Sequence, residues 1–133
     1  MKQEFLITYA TDASIEQVSE RLPEISQNHK FGVLGTHDLK EKMVSKGVPF
    51  ERECRVFEVC NPHQAQKVLS SAMEVSTALP CRISVYEEDG KTILATIKPT
   101  SLLTLFDIDN AEQTAKEVED TLILIMKETA AAS

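Results

Sequence analysis

Apolar and polar positions change period several times along the chain. Over residues 5–10 they alternate, with Phe5, Ile7 and Tyr9 on one side of an extended backbone. Successive strand side chains point to opposite faces, so this segment predicts a first strand. The period then lengthens to that of a helix: Ile15, Val18, Leu22 and Ile25 form one apolar stripe. Ser14 and Gln17 stand three apart at its start, the spacing at which each side chain satisfies a backbone N–H of the other. Pro23 is expected to kink this helix or end it early, because it lacks an N–H and crowds the preceding turn. Residues 31–35 predict a short strand. Thr36 or Asp38 then caps a second helix that ends near Gly47, a residue suited to the left-handed C-terminal position.

Residues 50–60 predict a strand with a charged first half and Val56, Phe57 and Val59 in its second. Asn61-Pro62 ends it and opens a third helix: asparagine caps well, and proline's missing N–H has no partner in a first turn anyway. Ala65, Val68, Leu69, Ala72 and Met73 give that helix an apolar face. Residues 81–87 and 91–98 pair as a hairpin through Glu88-Asp89-Gly90, where Asp-Gly accepts the positive φ of a tight turn. A final long helix spans residues 110–130, capped by Asp109 or Asn110, with Glu112 near the positive end of the macrodipole. Leu122-Ile123-Leu124-Ile125-Met126 is apolar all round. One sheet face is not expected to cover it, and leaving such side chains wet forgoes about 1.5–3 kcal/mol each. This predicts an isologous homodimer. The last four residues are expected to fray.

Composition narrows the function classes. At 133 residues the chain is expected to form one domain over residues 1–133, burying roughly two-thirds of its unfolded surface. The net charge of −7 repels a phosphate backbone, and Lys40, Lys42 and Lys46 are interspersed with Asp38 and Glu41, so no nucleic acid is expected. The first residues lack the apolar core of a secretion signal, and the longest apolar run is five residues against the ~20 of a membrane span. A cytoplasmic protein with no membrane association is expected. Three cysteines, an odd number, predict reduced thiols rather than a disulfide framework.

Candidate chemistry centres on Cys60-Asn61-Pro62-His63, where a thiol leaves a strand at a helix start. The macrodipole and unpaired N–H groups there are expected to lower the Cys60 pKa from its ordinary ~8.5; the bland alternative is a buried, inert cysteine. Cys81 opens a strand after Leu79-Pro80, and if the two strands are neighbours the sulfurs come close enough for reversible disulfide or persulfide chemistry. Cys54 shares Cys60's strand parity but lies among charges. Glu58 sits in an otherwise core-like stretch: it is either a general base with a raised pKa or, more simply, a residue of the wetter face beside Arg82 or Arg55. Cys60, His63 and Cys81 offer three possible metal ligands without a recognisable metal spacing, so no metal and no cofactor is expected. His29 and His37 read as solitary surface residues. Phosphate-loop, dinucleotide and nucleophile-elbow motifs are lacking.

Phe31-Gly32-Val33-Leu34, Cys60-Asn61-Pro62, residues 79–87 (Leu-Pro-Cys-Arg-Ile-Ser-Val-Tyr-Glu) and Lys98-Pro99 resemble the family catalogued as domain of unknown function 302, across most of the chain. The resemblance implies an α+β fold, an antiparallel sheet packed against helices in a TATA-binding-protein-like arrangement, usually a dimer, and no known activity. Fold analogy to a DNA-binding protein does not transfer function.

No reaction is identified by these features. The leading expectation is a dimeric binding module for a small ligand or partner segment at a site formed by Cys60, Asn61, Pro62, Cys81, Glu58 and His63. The alternative is a thiol-redox or sulfur-transfer protein using Cys60 with Cys81. A third is a structural domain that docks another protein through its final helix.

Overall fold

The structure is a computed structural model describing residues 4–108 and 111–132. Five strands, β1 (Leu6–Thr11), β2 (Gly32–Asp38), β3 (Cys54–Cys60), β4 (Cys81–Glu88) and β5 (Lys91–Ile97), form one sheet in the order β1-β5-β4-β3-β2. Every neighbouring pair is antiparallel. The helices are α1 (Ile15–Asn28), α2 (Leu39–Ser45), α3 (Pro62–Ser71), α4 (Pro99–Leu103) and α5 (Ala111–Ala131), with a 3-10 segment over Met73–Ala78. This is the expected α+β fold with an antiparallel sheet and a long C-terminal helix.

Alternation divides the sheet cleanly. Ile7, Phe57, Val59, Ile83, Val85 and Leu94 point to one face and are buried there with Ile15, Val18 and Leu22 of α1 and Leu122, Ile125 and Met126 of α5. The other parity carries Glu58, Arg82, Ser84, Tyr86 and Ile97, which are half-buried or exposed. A bulge between Val33 and Gly35 leaves Leu34 unpaired and 65% exposed, as the extra residue of such an irregularity is. The β4–β5 turn has positive φ at both Asp89 and Gly90, the geometry that matches a hairpin's twist.

Local signals set most boundaries. The capping box between Ser14 and Gln17 is complete, with Ser14 N–H donating to Gln17 Oε1 at 2.9 Å and Gln17 N–H to Ser14 Oγ at 3.1 Å. Pro23 does not end α1, which continues to Asn28; a buried stripe that includes Leu22 and Ser26 holds the helix together past the lost hydrogen bond. β2 runs three residues beyond the expected 31–35, and Asp38, not Thr36, caps α2 through Oδ1 and the Glu41 N–H. Gly47 takes φ +81° just past the end of α2. The strand expected from residue 50 begins only at Cys54. Met73, placed by periodicity on the apolar face of α3, lies beyond the helix and is 71% exposed.

The closing helix departs from expectation in a useful way. Leu122, Ile125 and Met126 are fully buried and Ile123 packs against the same core, leaving Leu124 as the half-exposed member of the run. The chain covers this run itself, because α5 packs against α1 and α4 as well as β1. The apolar run therefore needs no second copy. The expected caps Asp109 and Asn110 lie outside the described residues. Up to Ala132 the C-terminal end is tied rather than frayed: Arg21 Nη1 donates to Ala132 O, and Ala132 N–H donates to Glu128 O; Ser133 lies outside the described residues. Buried Glu119 accepts from both the Thr100 N–H (3.1 Å) and the Thr100 hydroxyl (2.6 Å), capping α4 from a neighbouring helix.

Candidate functional site

Residues 60–62 turn the chain from β3 into α3. Asn61 is extended, at φ −101° and ψ 112°, and its Oδ1 accepts from the N–H groups of His63 (3.0 Å) and Gln64 (3.2 Å). Ala65 N–H donates to Asn61 O at 3.0 Å, and Pro62 has no N–H. The donors of residues 62–65 are thus occupied or absent, so this turn has nothing left to offer an anion or a thiolate. The lowered pKa expected for Cys60 is not found: burial pushes the Cys60 thiol up, because desolvation penalises the charged form and no free N–H opposes it.

Cys81 opens β4 directly opposite Val59 and packs on the main core. Alternation sends Cys60, the next residue after Val59, to the opposite parity. Cys54 shares Cys60's parity and pairs with Tyr86. All three cysteines are free. Burial, and secondarily the neighbouring Cys60 charge, push the Cys81 thiol up to about 11. The nucleophilic species of cysteine is the thiolate, so at neutral pH both sulfurs are held in their weakly reactive form.

A cavity of about 240 Å³ lies at this end of the sheet, where β3 and β4 meet α3, α4 and α5. Cys60 and Cys81 line it together with Leu79, Val68, Leu103 and Val118. Asn61 also lines it, whereas Pro62, His63 and Glu58 are outside the lining. The space exceeds the ~150 Å³ of an apolar cavity that holds benzene and falls just below the ~300 Å³ at which pockets for drug-sized ligands begin.

Glu58 belongs to the wetter face. It pairs across the sheet with Arg82, whose Nε is 3.9 Å from Oε2, while Arg55 points to the other face and bonds Ser19 Oγ at 3.0 Å. Glu58 Oε1 also accepts from His37 Nε2 at 3.1 Å, and His37 Nδ1 faces Lys42 Nζ at 2.9 Å. An ammonium only donates, so Nδ1 accepts and Nε2 carries the proton given to Glu58. His37 is therefore not solitary. Gly35 leaves room for this carboxylate, since a Cβ there would stand 3.0 Å from Oε1. His29 likewise pairs with Glu128.

Sequence reasoning missed Gln64 as a lining residue. It also missed α4, whose five residues are too few to show a period. Among the described residues, no three His, Cys, Asp or Glu side chains gather as a metal site requires, and no helix is long and apolar enough to cross a membrane.

Fold and cavity together define a small α+β domain with an antiparallel sheet, one helix-covered face and a mostly apolar hollow at the sheet end. The pattern of the family described as "Domain of unknown function DUF302" matches residues 7–129, and the chain belongs to that family. Among solved structures it is similar to an "uncharacterized conserved protein DUF302 from Bacillus stearothermophilus", with 31% identity, 96% of this chain and 99% of that chain covered, and a TM-score of 0.90. No curated protein matches.

Proposed function

We propose that this protein is a binding domain without strong catalytic power, which takes a small, mostly apolar molecule in the cavity beside Cys81. The observation that carries this reading is the cavity itself: about 240 Å³ walled chiefly by apolar side chains, with three helices and three strands contributing. Protein interiors are close-packed, and a hollow of this size forgoes dispersion contacts that a ligand restores. Both thiols serve as wall, which agrees with their raised pKa values. The alternative of thiol redox or sulfur transfer through Cys60 and Cys81 requires a thiolate that burial disfavours.

Titration calorimetry with a set of small apolar compounds tests the reading, using the natural chain and Ala65→Phe, which places a ring in the cavity. At least one compound is expected to bind the natural chain and not the variant. No heat from any compound, or equal binding by both chains, overturns it.

A homodimer formed through the second sheet face is part of the same proposal. Support comes from Ile97, 44% exposed, and from half-buried Val56, Ile93 and Tyr86 of the same parity, an apolar set larger than a solvated face requires. Sedimentation velocity at micromolar concentration is expected to show a dimer that Ile93→Glu dissociates; monomers alone refute it. Three free thiols support a reducing compartment such as the cytoplasm.

A further inference from the structure

We infer that the cavity selects an apolar molecule ending in a single carboxylate, its hydrocarbon inside and its charge met at the mouth by Arg82; this rests on the cavity being the binding site. The exposure of the lining residues locates that mouth. Val59, Val68, Leu103 and Val118 are buried and form the interior, whereas Thr77, Arg82 and Ile97 are exposed and form the rim.

Among the described residues that line the cavity, Arg82 alone is charged. At the rim its neighbours offer little to a polar group: Thr77 Oγ1 already donates to Glu74 O at 2.8 Å, and Ile97 is apolar. The end of a ligand that emerges from the hollow therefore meets a guanidinium on a long, solvated side chain, and no acidic lining residue repels a negative charge there.

That guanidinium is available. The Arg82 side chain is 69% exposed, and its one polar contact among the described residues is Nε at 3.9 Å from Glu58 Oε2, too long for a hydrogen bond. Glu58 is served from the other side by His37, whose Nε2 donates to Oε1 at 3.1 Å. The planar fork of N–H donors is thus unengaged, and a carboxylate takes two of them at once. One cation suits one negative charge: a dianion would carry an uncompensated charge beside Glu58, on a chain whose net charge is −7. The hollow, larger than benzene needs, accommodates a ring on a short tail.

3-Phenylpropanoate and 3-phenylpropanamide share one skeleton and differ in charge at one end, so they isolate the carboxylate. In calorimetric titrations at low salt the natural chain is expected to bind the carboxylate about tenfold more tightly than the amide, the worth of charge-assisted hydrogen bonds at a partly exposed group. The preference should shrink as salt rises, because exposed charges are screened. Arg82→Gln, at an exposed position, should abolish the preference while leaving amide affinity unchanged, and Ala65→Phe should block both compounds. Equal affinities in the natural chain, or a preference that survives Arg82→Gln, overturn the inference; blockade by Ala65→Phe then keeps the cavity reading in place. Failure of both compounds to bind also overturns the inference, and titration with the purely apolar set decides whether the cavity reading falls with it.

Discussion

Cys81 faces Val59 across the sheet and not Cys60, so a one-residue offset in register decides the character of both thiols. Cys81 joins the core, Cys60 falls to the opposite parity, and each sulfur is desolvated instead of activated.

Thiol labelling should register this directly. With iodoacetamide at pH 7.5, Cys81 in the folded protein is expected to react at least tenfold more slowly than free cysteine, since the thiolate fraction falls about tenfold per unit of pKa. Peptide mapping by mass spectrometry measures the rate at each site. A Cys81 that labels as fast as free cysteine contradicts its burial.

The same burial predicts a pH dependence of stability. The folded chain holds Cys81 near 11 against an ordinary 9.0, so folding favours the neutral thiol. That contribution is complete below about pH 9, declines as the unfolded chain ionises, and is lost by about pH 11. It amounts to about 3 kcal/mol. Denaturant unfolding at pH 8 and pH 10.5 should show a smaller alkaline loss for Cys81→Ala than for the natural chain; equal losses contradict the shift.

Asn61 is structural in this account. Asn61→Ala removes the acceptor for two N–H groups of α3 and is expected to cost about 1 kcal/mol in urea unfolding, with the slope unchanged. The rate of Cys60 alkylation should not fall, as it would if an activating site had been dismantled.

Residues 122–126 separate what periodicity can and cannot show. Leu122→Ala is expected to cost about 2–5 kcal/mol, because its side chain is fully buried. Leu124→Ala, at a position 49% exposed, should cost well under half as much by the same unfolding measurement. Similar costs would mean that a second surface covers Leu124.

Much of the fold was legible in residues whose signals are local. Ser14 with Gln17, Asn61 with Pro62, and Asp89 with Gly90 each fix a chain direction through bonds or dihedrals within a few residues, and all three act as expected. The family was legible for the same reason, since its marks include Asn61-Pro62 and Leu79-Pro80. Covering α5 with α1 was not legible, because the apolar run shows how much surface must be buried and not what buries it. The site was half legible: Cys60, Asn61 and Cys81 do meet, but the sign of the Cys60 shift depended on whether Asn61 consumed the helix donors. Gln64 became visible as a wall residue only when the cavity itself was seen.

The cavity is tested most directly by diffraction from crystals of the protein under xenon pressure, since xenon enters apolar hollows without hydrogen bonds. Xenon density is expected in contact with Val68, Leu103 and Val118 beside the Cys81 sulfur. Crystals that take up xenon elsewhere, or not at all, while side chains fill this space would contradict the account.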